Sequence, residues 1–263
     1  MKIKLFTLTI LSAFLAVSCG QKSGIIKFQT VYLENFEKHP KGTAENDGFS
    51  YKIDIQYPLK YGDKAVLQRV QTQFIRYTLG DESVSLMGGD DGVTLEKIVE
   101  RYIAVLRSAY YNYLEEMQGY NSNQNFVTGW HIECSNAILF MNETLLQLQT
   151  KDGLYPAAAH VWESLSYHLF NLQTGDEYSW DNLFKPDAAE HIRRQHIAEL
   201  RKYSTIDFAL TGQGMDIVYN NDYDEFTDYM PQNASVTLSF LQILPYLREG
   251  TPVWEVANNA AYK

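Results

Sequence analysis

Apolar and polar residues alternate strictly along Tyr51-Lys52-Ile53-Asp54-Ile55-Gln56-Tyr57. That period of two predicts a half-buried β-strand, and Pro58 is expected to end it. Asp63 then opens a helix whose apolar stripe is Leu67, Val70, Phe74 and Tyr77, spaced three and four apart. Gly80, Gly88, Gly89 and Gly92 mark a loop containing Asp90 and Asp91. Thr94 can cap a second, longer helix with Ile98, Tyr102, Val105, Ala109 and Tyr113 on one face and Gly119 as a stop. From Phe126 the pattern is that of strands: Val127 to Ser135, Ala137 to Met141, and Leu145 to Thr150, the last two joined at Asn142-Glu143. Lys151-Asp152-Gly153 reads as a turn. Val161 to Leu172 is the next strand, with Leu169 and Leu172 as core positions, and Thr174-Gly175-Asp176 is a hairpin tip.

A third helix starts at Pro186-Asp187, where Asp187 and Glu190 fit an acidic capping box and Arg201-Lys202 close the far end. Strands Ile206 to Leu210 and Met215 to Asn220 flank Gly212-Gln213-Gly214. Val236, Leu238 and Phe240 alternate in a last strand, and Leu241 to Leu247 reads as a short closing helix. Strands and helices come in blocks, so the expected class is α+β. An N-terminal strand-helix-helix-sheet module over residues 49–152 packs on a C-terminal mixed sheet with one main helix over 153–263. Residues 19–48 read as a tether and edge segment.

The first residues change the setting. Met-Lys-Ile-Lys, an apolar run from Leu5 to Val17 and then Ser18-Cys19 have the layout of a secretory signal. The run is too short to cross a bilayer, which takes roughly 20 residues. A cysteine after Leu15-Ala16-Val17-Ser18 resembles the bacterial lipoprotein signal, with alanine at a place where leucine is commonest. That resemblance implies removal of residues 1–18 and lipidation of Cys19. The expected location is the bacterial cell envelope, lipid-anchored in a membrane, on a periplasmic or outer-membrane face.

The chain has 263 residues, 45% of them hydrophobic and 14% aromatic, enough for a substantial core. Of its two cysteines Cys19 is assigned to lipid, so Cys134 has no partner for a disulfide. Cys134 shares a strand face with Trp130 and Ile132 and reads as a small buried apolar residue. The formal charge is −10 and argues against nucleic acid as a partner.

Motifs for catalysis are sparse. There is no Gly-x-Ser-x-Gly, His-Glu-x-x-His, Walker loop or paired Cys-x-x-Cys, and no cofactor or metal is called for. His160, Glu163 and His168 are the nearest thing to a metal set, but Glu163 points to the opposite strand face from both histidines. His191 and His196 stand about 140° apart on a helix and cannot share a ligand. Asp222, Asp224, Glu225 and Asp228 form an acidic loop without the glycine and terminal glutamate of a calcium loop. Tyr219, Tyr223 and Tyr229 interleave with these carboxylates. Among nineteen tyrosines a second cluster, Tyr110, Tyr111, Tyr113 and Tyr120, surrounds the end of the second helix; both clusters have the profile of contact surfaces, and His160 joins the acidic-loop set as a binding candidate.

The succession Tyr155-Pro156-Ala157-Ala158-Ala159-His160, Leu169-Phe170-Asn171-Leu172-Gln173-Thr174-Gly175 and Asp181-Asn182-Leu183-Phe184 resembles a bacterial extracytoplasmic domain. That domain occurs in the RsiV anti-sigma factor and beside the catalytic domain of the PdaC deacetylase. Ile217 to Tyr223 and Val236 to Leu247 resemble its finish, and Tyr57-Pro58 before a helix resembles its partner domain. Ala157-Ala158 replace the family's paired glycines. Neither a sigma-binding segment nor a deacetylase domain is present, so the resemblance implies a sensing or binding module. In RsiV this module binds lysozyme. The expected function is non-enzymatic binding of a protein, such as a lysozyme-type hydrolase, or of a cell-wall glycan. The competing expectation is an envelope hydrolase acting on glycan through carboxylates such as Asp90, Asp91 or Glu163.

Overall fold

The computed structural model describes residues 26–42, 44–87, 94–120, 128–156, 162–196, 203–221 and 234–262. The fold is α+β, as the block pattern predicts, with a six-stranded mixed sheet in the order β1-β2-β3-β4-β5-β6 and a three-stranded sheet β7-β8-β9. Two compact units form: Met1–Ala137 with Thr150–Leu165, and Ile138–Gln149 with Ser166–Lys263.

In the first unit β1 (Lys27–Lys38) and β2 (Gly48–Lys60) make an antiparallel ladder. Alternation buries Ile53, Ile55 and Tyr57 on one face. Within the tether and edge segment, the twelve residues of β1 are strand. Nor does β2 end at Pro58, which pairs opposite Phe28. The parallel pairing of β2 with β3 (Trp130–Met141) runs only from Phe49 to Asp54, so Pro58 removes no ladder bond to β3. Beyond that point the Asn136 amide takes over, accepting from Gln56 N–H at 2.7 Å and donating to Gln56 C=O at 3.0 Å.

Helix α1 (Lys64–Leu79) starts where expected: Asp63 accepts from the N–H groups of Ala65 and Val66. Its buried face is Val66, Val70, Phe74 and Ile75, with Leu67 and Tyr77 at the margins. Gly80, at φ 85, turns the chain into a short helix α2 (Asp81–Leu86) inside the stretch read as loop. Helix α3 (Leu95–Tyr120) follows Thr94 and continues through Gly119. It buries Leu95, Ile98, Val99, Ile103, Tyr110 and Leu114, whereas Val105 is 50% exposed. The true stripe is rotated by about one residue, or 100°, from the predicted one. Both α1 and α3 lie against β2.

Strand β3 continues unbroken where two strands were expected, and β4 (Leu145–Pro156) contains Lys151-Asp152-Gly153. That tripeptide is strand, not turn, so the division read between residues 152 and 153 falls inside β4. Instead β3, β4 and β5 (Trp162–Asn171) each give part of their length to each unit.

In the second unit, the β3–β4 turn is set by Asn142, whose Oδ1 accepts from Thr144 N–H and Leu145 N–H. β5 pairs with β6 (Glu177–Tyr178) across the expected tip, with Gly175 at φ 80. Next come α4 (Trp180–Leu183), α5 (Ala188–His196), β7 (Tyr203–Leu210), β8 (Gly214–Asn221) and β9 (Ala234–Ser239). α6 (Phe240–Ile243), a 3-10 turn and α7 (Pro252–Ala261) complete it. The core gathers Leu145, Leu169, Phe184, Ile192, Phe208, Ile217, Leu238, Ile243 and Val253. Two polar side chains, the buried Gln147 and the half-buried Asp207, tie β7 in. Gln147 accepts from Leu210 N–H at 2.8 Å, and Asp207 accepts from Tyr167 N–H at 3.1 Å. No helix among the described residues is long and apolar enough to cross a membrane.

Candidate functional site

Strand alternation and helix pitch build a cleft in the first unit. Trp130, Ile132 and Cys134 project from one face of β3, while Asp152 and Leu154 share a face of β4. Tyr102 and Leu106, one turn apart on α3, supply the facing wall. With Gly153 these residues line an open, mainly apolar cavity of about 230 Å³. A Cβ on Gly153 would stand 2.8 Å from the Tyr155 ring, so that ring and a side chain at 153 compete for the same space.

The aromatic wall is braced from behind. Tyr110 and Tyr113 hold Trp130 between ring contacts of 5.7 and 5.3 Å, and the buried Tyr110 hydroxyl donates to Thr128 C=O at 2.8 Å. The Trp130 indole N–H is buried and makes no hydrogen bond among the described residues.

The ionisable groups of the cleft divide cleanly. Burial pushes the Cys134 thiol up to about 11, opposed by its contact with the Tyr102 hydroxyl and reinforced by the charges of Asp152 and Glu133. Burial also drives the Tyr102 phenol far above its ordinary value, again with help from Asp152. Both groups therefore keep their protons at neutral pH, and neither is a ready nucleophile. Asp152 is exposed and accepts a hydrogen bond from the Ser164 hydroxyl. On the other face of the strands, Glu133 takes both nearby lysines, Lys52 at 3.2 Å and Lys151 at 3.8 Å.

The second unit holds a different cluster. His168 Nδ1 stands 2.8 Å from Glu177 Oε1, and Asp207 lies close enough for both charges to act on it. Burial raises the Asp207 carboxyl, while the N–H groups of Phe208 and Tyr167 and then His168 pull it back.

Of the residues singled out from sequence, Cys19, His160, Asp222, Tyr223, Asp224, Glu225, Asp228 and Tyr229 lie outside the described residues, as do Asp90 and Asp91. Tyr219 stands in β8 opposite Ile206 and Ala234, and Glu163 stands in β5. His191 is exposed on α5. Cys134 is buried on the face shared with Ile132, as expected. The cleft itself was not anticipated. Its signal lies in the alternation of Trp130, Ile132 and Cys134, but Asp152-Gly153 carries turn chemistry that masks the strand.

The architecture defines a mixed α+β chain with two sheets. Its fold is similar to that of a DUF3298-family protein from Bacteroides fragilis, with a TM-score of 0.70 at 16% identity over 92% of this chain and all of that one. It is also similar to a DUF3298-family protein from Pseudomonas aeruginosa, with a TM-score of 0.51 at 10% identity over 86% of this chain and 96% of that one. At such identities the likeness is one of fold. No family model matches the sequence, and no curated protein matches it.

Proposed function

We propose that this chain is a non-enzymatic lipoprotein of the bacterial envelope that binds a partner, and that the cleft of the first unit is one of its contact surfaces. The carrying observation is the cleft's chemistry: aliphatic and aromatic walls open to solvent, with a thiol and a phenol held neutral by burial. Such a surface favours recognition over nucleophilic chemistry. The DUF3298 fold likeness is compatible with the RsiV- and PdaC-like motif order, whose implied role is sensing or binding. The signal ending at Cys19 supports a lipid anchor, and the net charge of −10 supports a basic partner. The partner is a protein, such as a lysozyme-type hydrolase, or a cell-wall glycan, and the Tyr219–Tyr229 stretch with His160 is a second proposed contact.

Surface plasmon resonance on the immobilised protein tests this against lysozyme and against soluble peptidoglycan fragments, at two ionic strengths. Saturable binding of one of them, with slower association at higher salt if the partner is basic, is expected. Absence of binding to both at low salt contradicts the proposal.

A further inference from the structure

We propose that the cleft receives the side chain of a lysine or arginine presented by a partner protein, with Asp152 as its counter-charge. This deepens the binding reading above and rests on it.

Size comes first. About 230 Å³ falls below the roughly 300–1,000 Å³ usual for small-molecule sites and suits one long side chain. The walls come second. Leu106, Ile132 and Leu154 offer aliphatic surface to a methylene stem. A sugar ring, by contrast, presents hydroxyls on every edge and would meet few acceptors here. Long cationic side chains bury their stems in this way while the head stays at the rim.

Charge decides the head group. Asp152 is exposed, two residues from Leu154 on the same strand face, and among the described residues it pairs with no lysine or arginine. The lysine next to it in sequence, Lys151, turns to Glu133 on the opposite face. Asp152 is therefore the negative group of a cleft whose other ionisable groups are held neutral, and its field reaches them, since it raises both Tyr102 and Cys134. An apolar occupant would shield this carboxylate from water without compensating it, and an anion would be repelled. A cation gains from Asp152 and from the aromatic rings of Tyr102 and Trp130 in the same lining.

The test titrates the intact protein with acetylated and amidated tripeptides: Gly-Lys-Gly, Gly-Arg-Gly, Gly-norleucine-Gly and Gly-Glu-Gly. The readout is the indole ¹H–¹⁵N resonance of Trp130, assigned with Trp130→Phe. The lysine and arginine peptides should bind saturably and about fivefold tighter than norleucine, the margin of one rim ion pair with an aromatic neighbour. The glutamate peptide should bind worst. Asp152→Asn should bring lysine down to the norleucine level, and Asp152→Glu should keep the preference, with thermal melts confirming that both variants fold. Equal affinity for lysine and norleucine, or a lysine preference that survives Asp152→Asn, overturns the proposal while leaving an apolar contact cleft in place. Failure of all four peptides to move Trp130 overturns both.

Discussion

The Tyr102 hydroxyl of α3 and the Cys134 thiol of β3 stand 3.4 Å apart in the cleft of the first unit. The pair joins helix to sheet through two polar atoms that burial keeps protonated. Of the two, the thiol has the more direct chemical readout.

Cys134 should resist alkylation. With its thiol pushed up to about 11, its thiolate fraction at pH 8 is about a hundredfold below that of free cysteine. Iodoacetamide should react correspondingly slowly, accelerating only as pH approaches that value. Because the Tyr102 contact lowers the thiol, Tyr102→Phe should slow the reaction further. Rates near those of free cysteine would show the thiol to be open and ionised.

Leu169 tests the core of the second unit. It is fully buried among Leu145, Phe184 and their neighbours. Leu169→Ala should cost about 2–5 kcal/mol in urea unfolding, by lost burial plus a cavity. The exposed Gln173→Ala should cost almost nothing. A Leu169→Ala loss near zero would mean the β5 face is misassigned.

Asp207 should make stability fall as pH rises out of the acid range. Burial raises its carboxyl above the ordinary 3.8, so the folded state binds this proton more tightly than the unfolded state. The stabilising contribution is complete below 3.8 and is lost as pH climbs through the raised value. Asp207→Asn removes that slope, at the fixed cost of one acceptor for the N–H groups of Tyr167 and Phe208. Urea titrations across this window should show the variant gaining on the wild type with rising pH. Parallel curves would contradict the assignment.

The proposed envelope anchor has its own test. Cys19→Ser should release the protein from the membrane fraction into the periplasm or medium, scored by fractionation and by loss of radiolabelled acyl chains. Retention in the membrane would remove lipidation from the account.

Much of the fold was legible locally. Asp63 announced α1, the alternation from Tyr51 gave the buried face of β2, and Thr174-Gly175-Asp176 gave a hairpin tip. The failures are cases where tertiary context overrode local signals. Asp152-Gly153 carries turn chemistry, yet the Tyr155 ring fills the space above Gly153 and the strand continues. Pro58 survives because β2 has already left its ladder with β3. On α3, Val105 and Ile103 fit apolar stripes one residue apart, and only packing against β2 selects Ile103. Helix α7 was missed although Thr251 caps it and Pro252 occupies its first turn. The cleft was illegible for a different reason, since it needs three elements far apart in sequence to converge.

The most direct test of the central claim is the affinity of the partner found by plasmon resonance for a Leu154→Arg variant. Leu154 is 37% exposed on the cleft wall, so a guanidinium there should leave the fold intact while spoiling the apolar surface and placing beside Asp152 a charge like that of a cationic occupant. The comparison is a variant with Asp222, Asp224, Glu225 and Asp228 all neutralised. A loss of about tenfold or more is expected for Leu154→Arg, carried by faster dissociation. Unchanged affinity in Leu154→Arg, with binding abolished in the neutralised variant, would contradict the cleft and move the contact to the aromatic-acidic stretch.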